Sequence, residues 1–263
     1  MSLVNNIGWF PGHMAQSIRL MRDRLELVDV IIEVVDARLP TISANPLLDE
    51  LIGGRPRIVL LGREDLADPQ LTGKWIAYEQ ELGRRALAIN GKQQGSVRNA
   101  LPILSELAAG RKTTRAMVVG IPNTGKSTVI NGLAKRIAAK AEDKAGVTRS
   151  LNWFRVSPTL EIMDTPGILV PKIETADAQW QLALCNALPR ERYDAQEVVA
   201  KFTVWAAEHR RDVPDLETFA RKRGFRRRGN DIDYHNAAGA YVKDFNLAKF
   251  GRITFETPPA AAT

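Results

Sequence analysis

The chain has 263 residues, 44% of them hydrophobic and 25% charged. That balance supports one large globular domain or two modest ones and argues against a disordered chain. No apolar run approaches the ~18 residues that a membrane-crossing helix needs, the first residues lack a secretory pattern, and a lone cysteine, Cys185, excludes an internal disulfide. Together these point to the cytoplasm, with Cys185 as a small core hydrophobe in a reducing compartment. The net charge of +7 is compatible with a polyanionic partner without locating one.

In chain order, Ile18, Met21, Leu25 and Val28 fall on one face of an expected amphipathic helix over 17–28. Residues 30–35 are nearly all apolar, as a buried parallel strand requires, and 57–61 repeat the pattern. A helix is expected over 70–83, ended by Gly83, then a weaker strand over 86–89. A second helix over 96–108 carries Val97, Leu101, Leu104 and Leu107, and a strand over 116–119 follows. A helix from Lys126 and strands near 152–156 and 159–163 complete an α/β pattern: a mostly parallel sheet with helices on both faces. From about Tyr193 the pattern becomes all-helical, through Val198, Val199, Phe202, Trp205, Ala206, Phe219 and Ala220. The expected divisions are an α/β domain over 1–190, a small all-α domain over 191–257, and a disordered tail over 258–263.

Between the strand at 116–119 and the helix from Lys126 lies Gly120-Ile121-Pro122-Asn123-Thr124-Gly125-Lys126-Ser127, a full match to G-x-x-x-x-G-K-[ST] in the context that motif requires. Glycines let backbone N–H groups turn inward around phosphates, and the helix N-terminus adds unpaired donors. Asn123, Thr124, Gly125, Lys126, Ser127 and Thr128 are the expected phosphate contacts. Lys126 can reach the β- and γ-phosphates, and the Ser127 hydroxyl can ligate Mg²⁺. A chance glycine-rich turn is the competing reading, and the flanking strand and helix count against it. Asp164-Thr165-Pro166-Gly167 ends the strand at 159–163, which places Asp164 on the outer side of Mg²⁺ and the Gly167 N–H toward the γ-phosphate. Thr148, in the polar stretch between, is the candidate switch threonine that closes on Mg²⁺.

Guanine is read by a carboxylate that accepts from its N1–H and N2–H₂, usually in N-K-x-D after a strand; adenine offers no matching pair of donors. No such motif follows Gly167. The match lies upstream, in Gly62-Arg63-Glu64-Asp65, where Gly62 stands for Asn and Arg63 for Lys, while Asp65 keeps the carboxylate. The stem of Arg63 can cover the base, and a second base-side loop follows Ala88-Ile89. The nucleotide expected is therefore GTP, with its base elements preceding its phosphate loop. A parallel sheet tolerates such a permuted order, because termini often lie close together at the surface.

This order, together with Trp9-Phe10-Pro11-Gly12-His13-Met14, Asp36-Ala37-Arg38-Leu39-Pro40, Asn45-Pro46, the phosphate loop, Asp164–Leu169 and Gly251–Glu256, resembles the circularly permuted ribosome-assembly GTPases of the YlqF/RbgA type over nearly the whole chain. The resemblance implies a slow GTPase that assembles the large (50S) ribosomal subunit, binds its rRNA, touches no membrane and is a monomer off the ribosome. In Ras-like proteins a glutamine after the D-x-x-G element orients the attacking water; Ile168 stands there and cannot hydrogen-bond. The resemblance points to His13 for that role, against a structural N-terminal cap. Asn123 is either a K⁺ ligand, as in several P-loop GTPases, or a loop-stabilising hydrogen-bonder. Arg221, Lys222, Arg223, Arg226, Arg227 and Arg228 are either an rRNA contact or a solvated turn. The rival function is a nucleotide-dependent regulatory or scaffold protein with little hydrolysis.

Overall fold

The strand β1 (Val30–Asp36) buries all seven of its residues, which in a parallel sheet places it centrally. The computed structural model, which describes residues 19, 22–93, 95–108, 110–134, 153–164, 173, 175–227 and 231–260, puts β1 between β2 (Arg57–Gly62) and the phosphate-loop strand β4 (Thr114–Val119), parallel to both. With β3 (Arg85–Ala88), β5 (Trp153–Ser157) and β6 (Leu160–Asp164), the sheet runs β3-β2-β1-β4-β6-β5. Only the β5–β6 pair is antiparallel. The carboxyl ends of β1, β2, β3, β4 and β6 thus share one edge, where open α/β sheets bind ligands. The base strands come first in the chain, yet space restores them beside the phosphate strand.

Successive side chains of a strand alternate between faces. Val30, Ile32 and Val34 join Ile58, Leu60, Ala116, Val118 and Ile162 beneath α3 (Ala100–Leu107) and α4 (Lys126–Ala134). On the other face Ile31, Met117 and Met163 meet Leu25, Val28 and α1 (Leu48–Ile52), while Val35, Val59 and Leu61 meet Trp75 of α2 (Pro69–Glu81). Both faces are covered, as the apolar runs require. Residues 19 and 22–25 are helical and 26–28 are not, so the helix expected over 17–28 ends three residues early.

After β6 the described chain is helical: α5 (Ala176–Leu184), α6 (Ala195–Glu208), α7 (Leu216–Arg223) and α8 (Tyr234–Phe245). Each starts at a side chain that accepts a first-turn N–H: Thr175 from Ala178, Asp194 from Gln196, Asp215 from Thr218 and Asp233 from Asn236. Such caps are worth about 1 kcal/mol each and fix where a helix begins. Phe202, Phe219, Tyr241 and Phe245 form the aromatic centre of one buried cluster. That cluster includes Trp180 and Leu184 of α5, which precedes the join expected at 190, and extends to Leu39 and Ile121 beside the sheet. The C-terminal segment returns to the sheet edge: Ile253 N–H donates to the Leu66 carbonyl at 3.0 Å and Phe255 N–H to the Arg38 carbonyl at 2.9 Å.

Candidate nucleotide site

The loop from Gly120 to Gly125 is built for close approach. Gly120 has φ +151°, and a Cβ there would sit 2.3 Å from the Val34 carbonyl oxygen; Gly125 has φ +107°. Only glycine adopts both positions without strain. Within the loop the Thr124 hydroxyl donates to the Ile121 carbonyl at 3.0 Å, and Lys126 Nζ donates to the same carbonyl at 2.8 Å. Burial pushes the Lys126 ammonium down to about 8, against the opposing pull of Asp164. A buried ammonium held by one carbonyl is ready to exchange it for phosphate oxygens. Ser127 and Thr128 are exposed in the first turn of α4, and Asp164 is half-buried at the end of β6. Among the described residues no cluster of three His, Cys, Asp or Glu could hold a metal. Mg²⁺ takes few protein ligands and relies on substrate phosphates and water, so the Ser127 hydroxyl and the Asp164 carboxylate are donors of the kind it would use.

Beside the loop lies a cavity of about 450 Å³. Of the expected nucleotide contacts, Gly62, Arg63, Asp65, Ile89, Thr124, Gly125 and Thr128 line it. Glu64, Ala88, Asn123, Lys126 and Ser127 do not line it. Glu64 donates its N–H to the Ile89 carbonyl at 3.2 Å, and its own carbonyl accepts from Arg252 at 2.6 Å. Asp65 sits in a short 3-10 turn (Glu64–Leu66) and is paired with Lys92 Nζ at 2.6 Å. Lys92 is largely exposed and its side chain is free to swing, so the carboxylate is available to a base. Gly62 has a positive reason to lack a side chain: a Cβ there would fall 2.7 Å from the Thr124 carbonyl oxygen. The phosphate loop occupies the space that an asparagine would need. Gly91 lets the second base loop touch α4, since a Cβ would lie 2.4 Å from Thr128 Cγ2.

Arg63 departs from a simple base cover. Its φ is +58°, and its guanidinium donates to the Cys185 carbonyl at 2.9 Å and the Asn123 carbonyl at 2.6 Å. The first acceptor belongs to the turn that ends α5, the second to the phosphate loop. Asn186 N–H bonds to Ala183 and Ala187 N–H to Leu182, with Asn186 at φ +59°, the Schellman pattern. That turn leaves the carbonyls of residues 184, 185 and 186 facing outward at the negative end of the helix dipole. Each one captures a different part of the protein. Leu184 O accepts from Asn246 of the helical unit at 2.7 Å, and Cys185 O accepts from Arg38 at 3.1 Å as well as from Arg63. Asn186 O accepts from Asn123 Nδ2 of the phosphate loop at 2.8 Å. Arg38 is fully buried and grips Asp36 through Nε and Nη2 at 2.9 and 2.8 Å. This bidentate pair holds the Asp36 carboxyl below its ordinary range in spite of burial.

A family model described as 50S ribosome-binding GTPase matches residues 115–221. The Ribosome biogenesis GTPase A of Bacillus cereus is 37% identical, over 96% of this chain and 94% of its own length. The chain belongs to the ribosome biogenesis GTPase A family. The Thermotoga maritima member is 33% identical over 96% of this chain and 95% of its own. Two solved structures of T. maritima YlqF, one bound to GDP and one to GNP, each superpose with a TM-score of 0.72; they are 31% and 29% identical and cover 91% and 92% of this chain, 99% and 98% of theirs. The chain is thus a circularly permuted P-loop GTPase, as its strand order indicates.

Against the family's expected site, His13, Thr148, Gly167, Ile168 and Arg228 lie outside the described residues. Asn123 uses its amide nitrogen on Asn186, so any cation contact falls to its Oδ1. In the basic run, Arg221 pairs with Glu217 at 2.6 Å, Arg223 with Asp244 at 3.4 Å and Arg227 with Asp233 at 3.4 Å, while Lys222 is exposed. Sequence reasoning missed Asn186, Asn246 and Leu247, which also line the cavity. Asn186 carried a signal, an asparagine just past an apolar helical run, where left-handed C-terminal residues fall. Asn246 and Leu247 carried none, because only tertiary packing brings them there. Among the described residues no helix is long and apolar enough to cross a membrane.

Proposed function

We propose that this protein binds GTP across the sheet edge and hydrolyses it in the cytoplasm, as a monomer, while docked on the rRNA of an assembling large ribosomal subunit. The observation that carries the reading is the joining of the two halves of the cleft. The Asp65 cavity and the Lys126 loop share Thr124, Gly125 and Thr128, so one nucleotide can lie across both. Asp65 accepts the guanine N1–H and N2–H₂. Lys126 leaves the Ile121 carbonyl for the β- and γ-phosphates. Ser127 and Thr148 ligate Mg²⁺, with Asp164 outside them, and the Gly167 N–H meets the γ-phosphate. With Ile168 unable to orient water, His13 takes that task when the protein is docked on the subunit. Asn123 Oδ1 is the K⁺ contact, supplying charge that an arginine finger brings elsewhere. The ribosomal partner follows the names of the relatives, and the large subunit the description of the matching family model.

The rRNA surface is the end of α7 with Lys222 and Arg226 to Arg228 at its centre. The partnered Arg221, Arg223 and Arg227 can trade carboxylates for phosphates, which makes this contact strongly salt-dependent. The deciding measurement is turnover of GTP and of ATP, each with and without large subunits, in K⁺ and in Na⁺. Expected are hydrolysis of GTP alone, stimulation by the subunit, a higher rate in K⁺, and loss of stimulation in His13→Ala. Equal turnover of ATP, or a subunit with no effect, overturns the proposal.

A further inference from the structure

We propose that the helical unit supplies part of the guanine pocket: Leu247, just beyond α8, packs on the base, and Asn246 positions it. The inference rests on reading the Asp65 cavity as the base site and adds a residue from a different part of the molecule. Leu247 is a large aliphatic side chain left 50% exposed, and it lines the cavity together with Asp65 and Ile89. A flat purine needs apolar surface against its faces. The family's Lys position, Arg63, keeps its guanidinium on the Cys185 and Asn123 carbonyls, on the phosphate-loop side. Aliphatic cover on the helical side therefore comes from Leu247.

Asn246 makes this placement firm. Its Nδ2 donates to Leu184 O at 2.7 Å and Val242 O at 2.8 Å, and its Oδ1 accepts from Arg38 at 3.0 Å. The end of α8 is therefore bound to the same turn that holds the phosphate loop through Asn123. Nucleotide binding and docking of the helical unit thus share contacts, and by linkage whatever strengthens one strengthens the other.

The test uses the full chain and equilibrium titration with GDP and with a non-hydrolysable GTP analogue. Leu247→Ser is expected to raise Kd about tenfold for both nucleotides, the loss of ~1.4 kcal/mol of apolar contact, with an unchanged melting temperature because the side chain is half exposed. Leu247→Met should restore affinity, and GDP should slow amide exchange over 245–249. An unchanged Kd in Leu247→Ser, or no slowing of exchange, overturns the inference. Asp65→Ala separates the two readings. If it leaves the preference for GTP over ATP intact, the cavity is not the base site and both fall. If it abolishes the preference while Leu247→Ser binds like the parent, only the role of Leu247 falls.

Discussion

The two ends of the nucleotide cleft are made in opposite ways. The phosphate loop is one continuous stretch, from Gly120 to Thr128, whose shape follows from two glycines and a helix start. The base end is gathered from separate places: residues 62–66, 89–92, Asn186 and 246–247. A site written in one stretch can be damaged only locally. A gathered site depends on every contact that holds its pieces together, so substitutions well outside the cleft should reach it.

The strongest way to break the gathered end is through Arg38, which does not itself line the cavity. Arg38→Ala strips the buried Asp36 of its bidentate partner, leaving it the 3.7 Å contact to Arg63, and removes donors to Cys185 O and Asn246. Breaking one side of a buried pair costs about 3–5 kcal/mol. Urea unfolding should show that loss, and GDP affinity should fall with it. A loss of stability with unchanged GDP affinity would mean that the pieces of the base end do not rely on this joint. At the local end, Lys126→Ala should lower turnover by about 10²–10³-fold, the usual cost of removing one charge-stabilising donor, with little change in urea midpoint. Because its ammonium titrates near 8 in the free protein, phosphate binding that needs the charged form should weaken as pH rises beyond that value.

Gly62 tests where the two ends meet. Gly62→Ala forces a Cβ against the Thr124 carbonyl, and overpacking of this kind costs about 1–3 kcal/mol. GDP binding, read by titration, should weaken by about 5- to 100-fold. Undiminished binding would show that the phosphate loop can retreat freely from the base loop. The smallest effect expected lies away from the cleft. Burial lifts the Glu33 carboxyl from its ordinary 4.5 to about 7, although Arg57 sits 3.0 Å away. A raised carboxyl favours the fold while protonated, so this contribution is full below about 4.5 and gone above about 7. Glu33→Gln should flatten the fall in stability across that window, measured as urea midpoint against pH.

The same contrast explains what could be read from sequence. Buried parallel strands announce themselves as apolar runs, and each helix of the C-terminal part begins at a threonine or aspartate whose side chain caps it. The phosphate loop is a local motif, and its context confirmed it. Asp65, the expected guanine acceptor, was legible as a carboxylate just after a strand even with Gly62 before it, and it lines the cavity. The physical reason for Gly62 was not legible, because the clash that forbids a side chain is with Thr124, sixty-two positions later in the chain. Nor did any pattern near residue 38 show that its guanidinium would be buried, since the group that receives it is a main-chain carbonyl 147 residues away. The start of the helical cluster was also hidden: α5 reads as a continuation of the α/β pattern, yet Trp180 and Leu184 pack with Phe202 and Tyr241.

The turn at the end of α5 has a consequence for how this molecule can change. Its three acceptors are backbone oxygens, present whatever side chains occupy 184, 185 and 186. Substitution at those positions can shift the turn but cannot delete an acceptor, whereas one altered base codon at Arg38, Arg63, Asn123 or Asn246 can remove a donor outright. A scan that replaces each residue in turn would therefore report the packing of the Leu184 and Cys185 side chains and the donors at the rim, never the carbonyls themselves. The group that ties phosphate loop, base loop and helical unit together would be invisible in such a scan, inferred only from the ring of donors around it.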